Sequence, residues 1–416
     1  MKNQIFTSLD IGSHSIKGVC LKQNNEGIFE ALAHSHRPCF VGVRAGEVIK
    51  PEEVAKAIQR VKSELGKKVN LKIKKVFVNI SGAHISSVPS QGLVSVSRAD
   101  QKISKEDVKR VLKAAEAINL PSNREILEVF PKEFIIDGEG GLKDPAGLEG
   151  IRLEVKVILS TIFSPVLANL YQAVEGAGLE IEDIILSPLA QARAILNEEQ
   201  KELGVALVDL GFATTSLAIF EKGDLIDFAI FPVGSSHITN DLAILLRTEI
   251  ETAENIKKQY AKLAILGKKA PTWGQKKEKS AKEDLIEIPE KAIKFSRKFL
   301  LNIVESRVDE IFSEVEKHLK KMTGQEQLPA GLVLTGGGAS LPGIVEFAKE
   351  KFNLPCRVAQ IYGIKGADGQ EFSACYGMAM YALEKEGSFE HQKSGGTSFF
   401  AKIKKFFKIV FKAFLP

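Results

Sequence analysis

Cysteine is scarce in this chain. Its four cysteines, Cys20, Cys39, Cys356 and Cys375, lie far apart and form no CxxC pair. That leaves no basis for a disulfide framework and is the pattern of reduced, buried or half-buried thiols in a cytosolic protein. Long apolar runs are missing too. No stretch approaches the roughly 18 apolar residues that a membrane-crossing helix needs. Met1-Lys2-Asn3 runs straight into a strand-like segment, so no secretory leader is expected. There is little excess of either charge: 57 basic against 52 acidic residues give +5. The placement of the basic residues is less even. Lys268, Lys269, Lys276, Lys277 and Lys279 crowd one stretch, and Lys402, Lys404, Lys405, Lys408 and Lys412 crowd the last. Apolar residues make up 44% and charged residues 26% of 416 positions, which is ordinary for a folded protein large enough for two or more domains.

What is present is a repeated turn. Asp10-Ile11-Gly12-Ser13-His14-Ser15 follows the strand-like residues 4–9, and Asp209-Leu210-Gly211-Phe212-Ala213-Thr214-Thr215-Ser216 follows residues 205–208. A second strand-like run follows each. Glycine lets the backbone approach a phosphate, backbone N–H groups and hydroxyls bind the anion, and an aspartate can position a magnesium-bound water. A third element, Leu334-Thr335-Gly336-Gly337-Gly338-Ala339, follows a strand at 331–335 and precedes helix-like residues 344–352. Its glycines would let backbone pass over a purine and ribose. Two matching turns far apart in the chain indicate two related α/β halves facing one ligand.

Periodicity fills in the rest. Residues 51–65 read as a helix with Val54, Ile58, Val61 and Leu65 on one face. Residues 75–80 read as a buried strand ending in Ser81-Gly82. A self-contained module follows: a helix over 104–119 with the capping box Ser104-x-x-Asp107, strands near 125–136 and 153–160, and a Gly- and Pro-rich loop over 138–150. Helices are expected at 165–177 and 188–197, with a strand at 181–186 between them. In the second half, strands are expected at 216–220 and 225–233, and helices at 238–246, 249–263, 290–320, 344–352 and 371–383. Residues 266–282 read as a basic, Pro- and Gly-punctuated loop, and 387–398 as a polar tether.

Together the three Gly-bearing elements resemble the actin, Hsp70 and sugar-kinase superfamily. Two such turns clamp a triphosphate there, the Gly-rich segment backs the adenosine, and a helix turns Glu and Lys toward the ribose and base. Ala253-Glu254-Asn255-Ile256-Lys257 sits where that helix is expected; the plainer reading of Glu254 and Lys257 is a solvated i,i+3 ion pair. Within the superfamily the chain resembles the FtsA family of bacterial cell-division actins over nearly its whole length. The resemblance rests on Ser8 to Ser13, on Gly234-Ser235-Ser236-His237-Ile238-Thr239-Asn240-Asp241-Leu242-Ala243, on Ala253-Glu254-x-x-Lys257, on Leu334 to Ala339, and on the module inserted after Ser81-Gly82.

The resemblance implies an α/β fold of actin-like, ribonuclease-H-like duplicated domains around a nucleotide cleft. An inserted α+β subdomain and a C-terminal amphipathic helix complete it. The implied division is subdomain 1A over 1–83, completed by 162–197 and 371–386; subdomain 1C over 84–161; 2A over 198–233 and 311–370; 2B over 234–310; a linker at 387–397; and the helix at 398–416. It implies ATP and magnesium as cofactors. The binding residues would be Asp10, Gly12, Ser13, His14, Lys17, Asp209, Gly211, Thr214, Thr215, Gly234, Glu254, Lys257, Gly336, Gly337 and Gly338, with Asp10 and Asp209 on the metal through water. It implies the C-terminal tail of the tubulin-like FtsZ as partner, with Lys294, Arg297 and Arg307 as basic helix positions for that acidic tail. Self-assembly into filaments and contacts of subdomain 1C with later division proteins are implied too. Two departures weigh against turnover. The second turn carries Phe212, Ala213 and Ser216 where the superfamily favours further glycines and an acidic end. In Leu186-Ser187-Pro188-Leu189-Ala190 a Ser, a poor general base, replaces the Glu of more hydrolytic relatives. No catalytic residue is assigned.

The last residues carry their own signal. Phe399, Phe400, Ile403, Phe406, Phe407, Val410 and Phe414 share one helical face; Lys402, Lys405, Lys408 and Lys412 lie opposite, Lys404 at the border, and Ile409 breaks the polar side. A Phe-rich face against a lysine face describes an interfacial helix on an anionic membrane leaflet. Each lysine adds about 1 kcal/mol there. A nucleic-acid role is not expected, because phosphate contacts do not call for so many Phe. The expected protein is therefore an ATP-binding filament former on the cytoplasmic face of the cell membrane at the division site. Two alternatives share the fold: a PilM-like pilus-assembly actin, and a sugar-kinase-type phosphotransferase, which needs a cleft carboxylate as base and no membrane helix.

Overall fold

The computed structural model describes residues 5–24, 27–263, 285–288, 293–323 and 328–389. The loop expected at 266–282 and the membrane helix expected at 398–416, with all its named Phe, Ile, Val and Lys positions, lie outside the described residues.

The first half starts with β1 (Ile5–Ile11), β2 (Ser15–Gln23) and β3 (Phe29–Pro38), three antiparallel strands, then a short hairpin of β4 (Val43–Arg44) and β5 (Glu47–Val48). Helix α1 (Pro51–Val69) begins on a proline and buries Val54, Ile58, Val61 and Leu65, the expected stripe; Asn70 in the left-handed region ends it. Strand β6 (Lys75–Ile80) pairs parallel with β1 and is buried from Val76 onward, as a strand covered on both faces must be.

The inserted module comes next: β7 (Ser86–Ser95), α2 (Lys105–Ala115), β8 (Arg124–Ile136), β9 (Glu139–Leu142) and β10 (Arg152–Phe163). They form a four-stranded sheet, β7-β10-β8-β9, with its own core of Val111, Leu153, Val155 and Leu159 beneath α2. The capping box of Ser104 and Asp107 is present. The Gly-rich stretch at 138–150 is not all loop: Glu139–Leu142 turns back on β8, with Asp137 and Gly138 both at positive φ at the reversal.

Helix α3 (Ser164–Gly176), strand β11 (Glu180–Leu186) and helices α4 (Ser187–Ile195) and α5 (Glu198–Leu203) close the first half. The second half repeats the opening with β12 (Val205–Leu210), β13 (Thr215–Glu221) and β14 (Asp224–Phe231), followed by α6 (Ser235–Leu245) and α7 (Ile250–Tyr260). Then come β15 (Leu285–Ile288), β16 (Ile293–Ser296), α8 (Arg297–Thr323), β17 (Leu332–Thr335), α9 (Ile344–Phe352), β18 (Cys356–Val358), β19 (Ile364–Lys365) and α10 (Ser373–Phe389). Two expectations are corrected here. The helix expected over 290–320 starts only at Arg297, because Ile293–Ser296 pairs antiparallel with β15. Residues 387–389, expected to begin the tether, belong instead to α10, which runs to Phe389.

The two halves match in topology. The first sheet runs β11-β6-β1-β2-β3-β19 and the second β14-β13-β12-β17-β18. In each, three antiparallel strands are extended by parallel strands on the side of the first one. The Asp10 and Asp209 turns therefore stand at equivalent ends of the central strands β1 and β12. One core packs the first sheet and reaches Leu207, Phe220 and Phe228; another packs the second. Helix α10 explains its small residues by packing on α4: a Cβ on Gly377 would overlap the Ala190 carbonyl.

Candidate functional site between the two halves

A cavity of about 450 Å³ opens between the halves, a size that suits a small-molecule cofactor. The first turn contributes Asp10, Gly12, Ser13, His14 and Lys17; the second contributes Asp209, Gly211, Phe212 and Thr214. Glu254 and Lys257 from α7 and Gly336, Gly337 and Gly338 after β17 complete the set of expected residues that line it. Thr215 and Gly234 do not line it. The Thr215 hydroxyl donates to the Val233 carbonyl at 2.7 Å. Gly234 lies under the second turn, where a Cβ would sit 2.7 Å from the Gly211 carbonyl. Its role is to let α6 start there: Ser235 N–H donates to Gly211 O and Ser236 N–H to Phe212 O.

The carboxylates differ. Asp10 accepts from Asn79 Nδ2 at 2.5 Å and from Lys17 Nζ at 2.8 Å. Asn79 also accepts from Ile11 N–H, so the end of β6 holds the first turn in place. Asp209 accepts from Gln191 Nε2 at 2.9 Å, while its Oδ1 is buried with no hydrogen-bond partner. Burial pushes this carboxyl up to about 6; the Gln191 bond pulls it back and the Asp10 charge adds to the rise. Gln191 Oε1 is also buried and unpartnered. An orphaned carboxylate oxygen beside a second carboxylate is a fit for a hydrated cation. Among the described residues no group of three His, Cys, Asp or Glu side chains could hold a metal by itself, so the remaining ligands would come from water and phosphate.

Glu254 and Lys257 form an ion pair at 2.7 Å, with side-chain exposures of 19% and 11%. The plainer solvated reading is thereby set aside. Thr239 donates to Glu254 and Lys257 donates to Ser235 O and Thr239, tying α7 to α6. Burial would raise the Glu254 carboxyl, but the bonds from Lys257 and Thr239 hold it below its ordinary value. Burial lowers Lys257. Val308, Ile311, Leu341, Pro342 and Ile344 add apolar lining. The cavity thus combines polar lining from the two turns with apolar lining from the second half.

Sequence reasoning missed Asn79 and Gln191. Both occupy buried segments that read as strand and helix interior, and only the fold brings them to the carboxylates. Ser187 lines the cavity with its hydroxyl donating to Ile80 O and accepting from Asn79. One of the expected basic positions is corrected in its element. Lys294 lies on β16, not a helix, and pairs with Glu287 at 2.8 Å. Arg307 grips Asp241 through Nε and Nη2 at 2.7 and 2.9 Å and Glu310 through Nη1, so its donors are engaged within the chain. Arg297 is exposed at the start of α8.

Fold and cleft define an actin-like protein: duplicated sheets, paired aspartate turns and a Gly-rich third element around one cavity. Solved structures agree. The chain is similar to the PilM–PilN type IV pilus biogenesis complex (17% identity, 92% of this chain and 99% of that one, TM-score 0.66). It is also similar to MreB5 of Spiroplasma citri bound to AMPPNP (13% identity, 94% and 99%, TM-score 0.51). At these identities the likeness is one of fold. Sequence comparison narrows the class. Residues 82–161 match the SHS2 domain inserted in FtsA, and residues 206–377 match the family described as cell division protein FtsA. FtsA of Pseudomonas aeruginosa is 34% identical over 95% of this chain and 93% of its own length. FtsA of Bacillus subtilis is 33% identical over 86% and 79%. The chain belongs to the FtsA family of actin-like cell division proteins.

Proposed function

We propose that this chain binds ATP with magnesium, polymerises, and anchors the FtsZ ring to the cytoplasmic face of the membrane through its C-terminal helix. The observation that carries the nucleotide reading is Asp209 Oδ1, a buried oxygen without a partner beside Asp10, in a cavity between two anion-binding turns. ATP would be held by Gly12, Ser13, Lys17, Gly211 and Thr214 at its phosphates, and by Glu254, Lys257 and Gly336–Gly338 at its nucleoside. Asp10 and Asp209 would orient water on magnesium, which would neutralise phosphate charge. The AMPPNP named with MreB5 supports the reading from a protein of the same fold. Weak or no turnover is expected: Ser187 is locked to Ile80 and Asn79 and is no base.

The membrane reading rests on the Phe and Lys faces of residues 398–416. Among the described residues no helix is long and apolar enough to cross a bilayer. For the FtsZ tail, Arg297, near the exposed Phe299, is the one of the three expected basic positions that is exposed at the start of α8. Filament contacts, and docking of later division proteins on the inserted module, follow from family membership as proposals of the same kind.

Three measurements test this reading. Calorimetry with ATP and magnesium should give saturable binding, and its absence overturns the nucleotide reading. Anionic liposomes should sediment the full chain but not one stopped after Phe389; equal sedimentation overturns the membrane reading. A labelled FtsZ tail peptide should bind Arg297→Glu less well than wild type.

A further inference from the structure

Five lysines fall within nine residues of the first half: Lys67, Lys68, Lys72, Lys74 and Lys75. All five are exposed, and no acidic residue occurs between Glu64 and Asp100. They occupy the last turn of α1, the link after it and the first residue of β6. Little of their charge is matched within the chain. Lys68 Nζ donates to the His34 carbonyl, and Lys75 pairs with Glu182 at 3.1 Å, an exposed contact of small energetic weight. Glu180 and Glu182, on β11 beside β6, are the neighbouring carboxylates. Lys67, Lys72 and Lys74 have no carboxylate partner among the described residues. Leu71 stands in the middle of the group and is 51% exposed. Val69 and Ile73 on either side pack against the first core. Asn70 in the left-handed region, with Leu71 N–H donating to Gly66 O at 3.0 Å, fixes the reversal that leaves Leu71 outside.

The group lies away from the cleft. Strand β6 runs parallel to β1 and reaches the cavity at its far end, where Asn79 meets Asp10, so Lys75 begins it about 13 Å earlier. Helix α10 also leaves the cavity. Ser373 and Ala374 line it; further on, Gly377 lies against Ala190 and Tyr381 beneath Arg193, both on α4, which itself starts at the cavity with Ser187. The chain therefore departs for residues 398–416 on the side turned away from the cleft, as the lysines are.

We propose that this lysine-rich surface around Leu71 is a second membrane contact, a face of the folded body that lies against an anionic leaflet once the C-terminal helix has brought the body there. The proposal rests on the membrane reading above. The occupant follows from charge and from where the chain departs: unmatched lysines and an exposed leucine suit an anionic interface, and the chain leaves the body on the side away from the cleft. A lysine gains from the leaflet only within a Debye length, about 8 Å at physiological salt. Held there by the helix, the face acts at a high local concentration and needs little affinity of its own. A chain stopped after Phe389 therefore stays unsedimented. The second contact also fixes which side of the body faces the membrane, which one helix on a polar tether does not.

The test is co-sedimentation of the full chain with vesicles of phosphatidylcholine that contain phosphatidylglycerol as the minority lipid. Lys67→Gln, Lys72→Gln, Lys74→Gln together neutralise the face. Lys105→Gln, Lys109→Gln, Lys113→Gln on α2 make the same change in net charge on the inserted module, where the lysines are also exposed. The first triple variant should lose roughly ten- to hundred-fold in vesicle affinity, at up to about five-fold per lysine near the leaflet. The α2 triple variant should bind within about two-fold of wild type, because its lysines stay beyond the screening distance. Lys67→Arg, Lys72→Arg, Lys74→Arg should bind as wild type does, and Leu71→Ser should bind more weakly. If the first triple variant loses no more affinity than the α2 triple variant, the proposal is wrong while the membrane reading stands. If wild type does not bind these vesicles, both fall.

Discussion

Gln191 and Asp209 join the two halves: the amide on α4 donates to Oδ2 of the carboxylate that ends β12, at 2.9 Å, and leaves Oδ1 without a protein partner. The arrangement holds a charge ready at the expense of the ligand-free protein. A carboxyl whose value rises on folding, from 3.8 to about 6, destabilises the folded state as pH increases. The cost is absent below the ordinary value and complete above about 6.

Asp209→Asn should therefore raise the melting temperature of the ligand-free protein at pH 7.5, by the equivalent of about 1–3 kcal/mol. The gain should shrink through pH 6 and vanish near pH 4. The same variant should lose magnesium-dependent nucleotide affinity. Thermal melts at several pH values with and without ATP and magnesium check both. A variant no more stable than wild type at pH 7.5 would contradict the burial argument.

Gly336 and Gly337 should behave differently despite being neighbours. Gly336 has φ of 83°, and a Cβ there would overlap Asp209 Oδ1 and press on Leu210 O at 2.7 Å. Gly337 has nothing within 4 Å of an added Cβ. Gly336→Ala should cost more than about 1 kcal/mol and weaken nucleotide binding, while Gly337→Ala should change stability by less than about 1 kcal/mol. Chemical denaturation of both variants reads the contrast.

Lys257→Met removes the cation but keeps much of the chain's bulk. Glu254 would then be left partly buried with Thr239 and the exposed Lys258 as its partners. The expected outcome is a loss of about 1–3 kcal/mol in stability and at least a several-fold loss of ATP affinity. The Glu254→Gln, Lys257→Met double variant should recover part of the stability but not the affinity. Melting curves and calorimetry separate the two.

Arg307→Ala should destabilise the protein, because it frees the partly buried Asp241 from a bidentate grip. A loss of about 1–2 kcal/mol is expected, intermediate between exposed and buried pairs. Asp241→Asn, Arg307→Ala should be milder than Arg307→Ala alone. An FtsZ tail peptide should bind Arg307→Ala as wild type does wherever the protein is folded.

The two halves and their three glycine elements were legible because each rests on local chemistry: an apolar strand, an aspartate, a glycine. Three parts were not. Strand β7 was hidden by Pro89, Gly92 and its serines, and Gly92 proves necessary because a Cβ there would overlap the Val111 carbonyl of α2. Strand β16 was absorbed into the helix expected over 290–320, since four residues pair only with the equally short β15. Asn79 and Gln191 were missed because nothing in a buried segment marks which side chain will meet a carboxylate from another part of the chain. The same limit misplaced Thr215, whose hydroxyl serves the Val233 carbonyl rather than the cavity.

Helix α10 has a consequence of its own. Ser373 and Ala374, at its start, are part of the cavity wall. Cys375 and Tyr376 are buried, and Gly377 lies directly against the backbone of α4. With 17 residues the helix extends about 25 Å from that wall. Further along, Met378, Ala379 and Ala382 are buried in the core of the first half, so one helix serves as cavity wall at its start and as core after it.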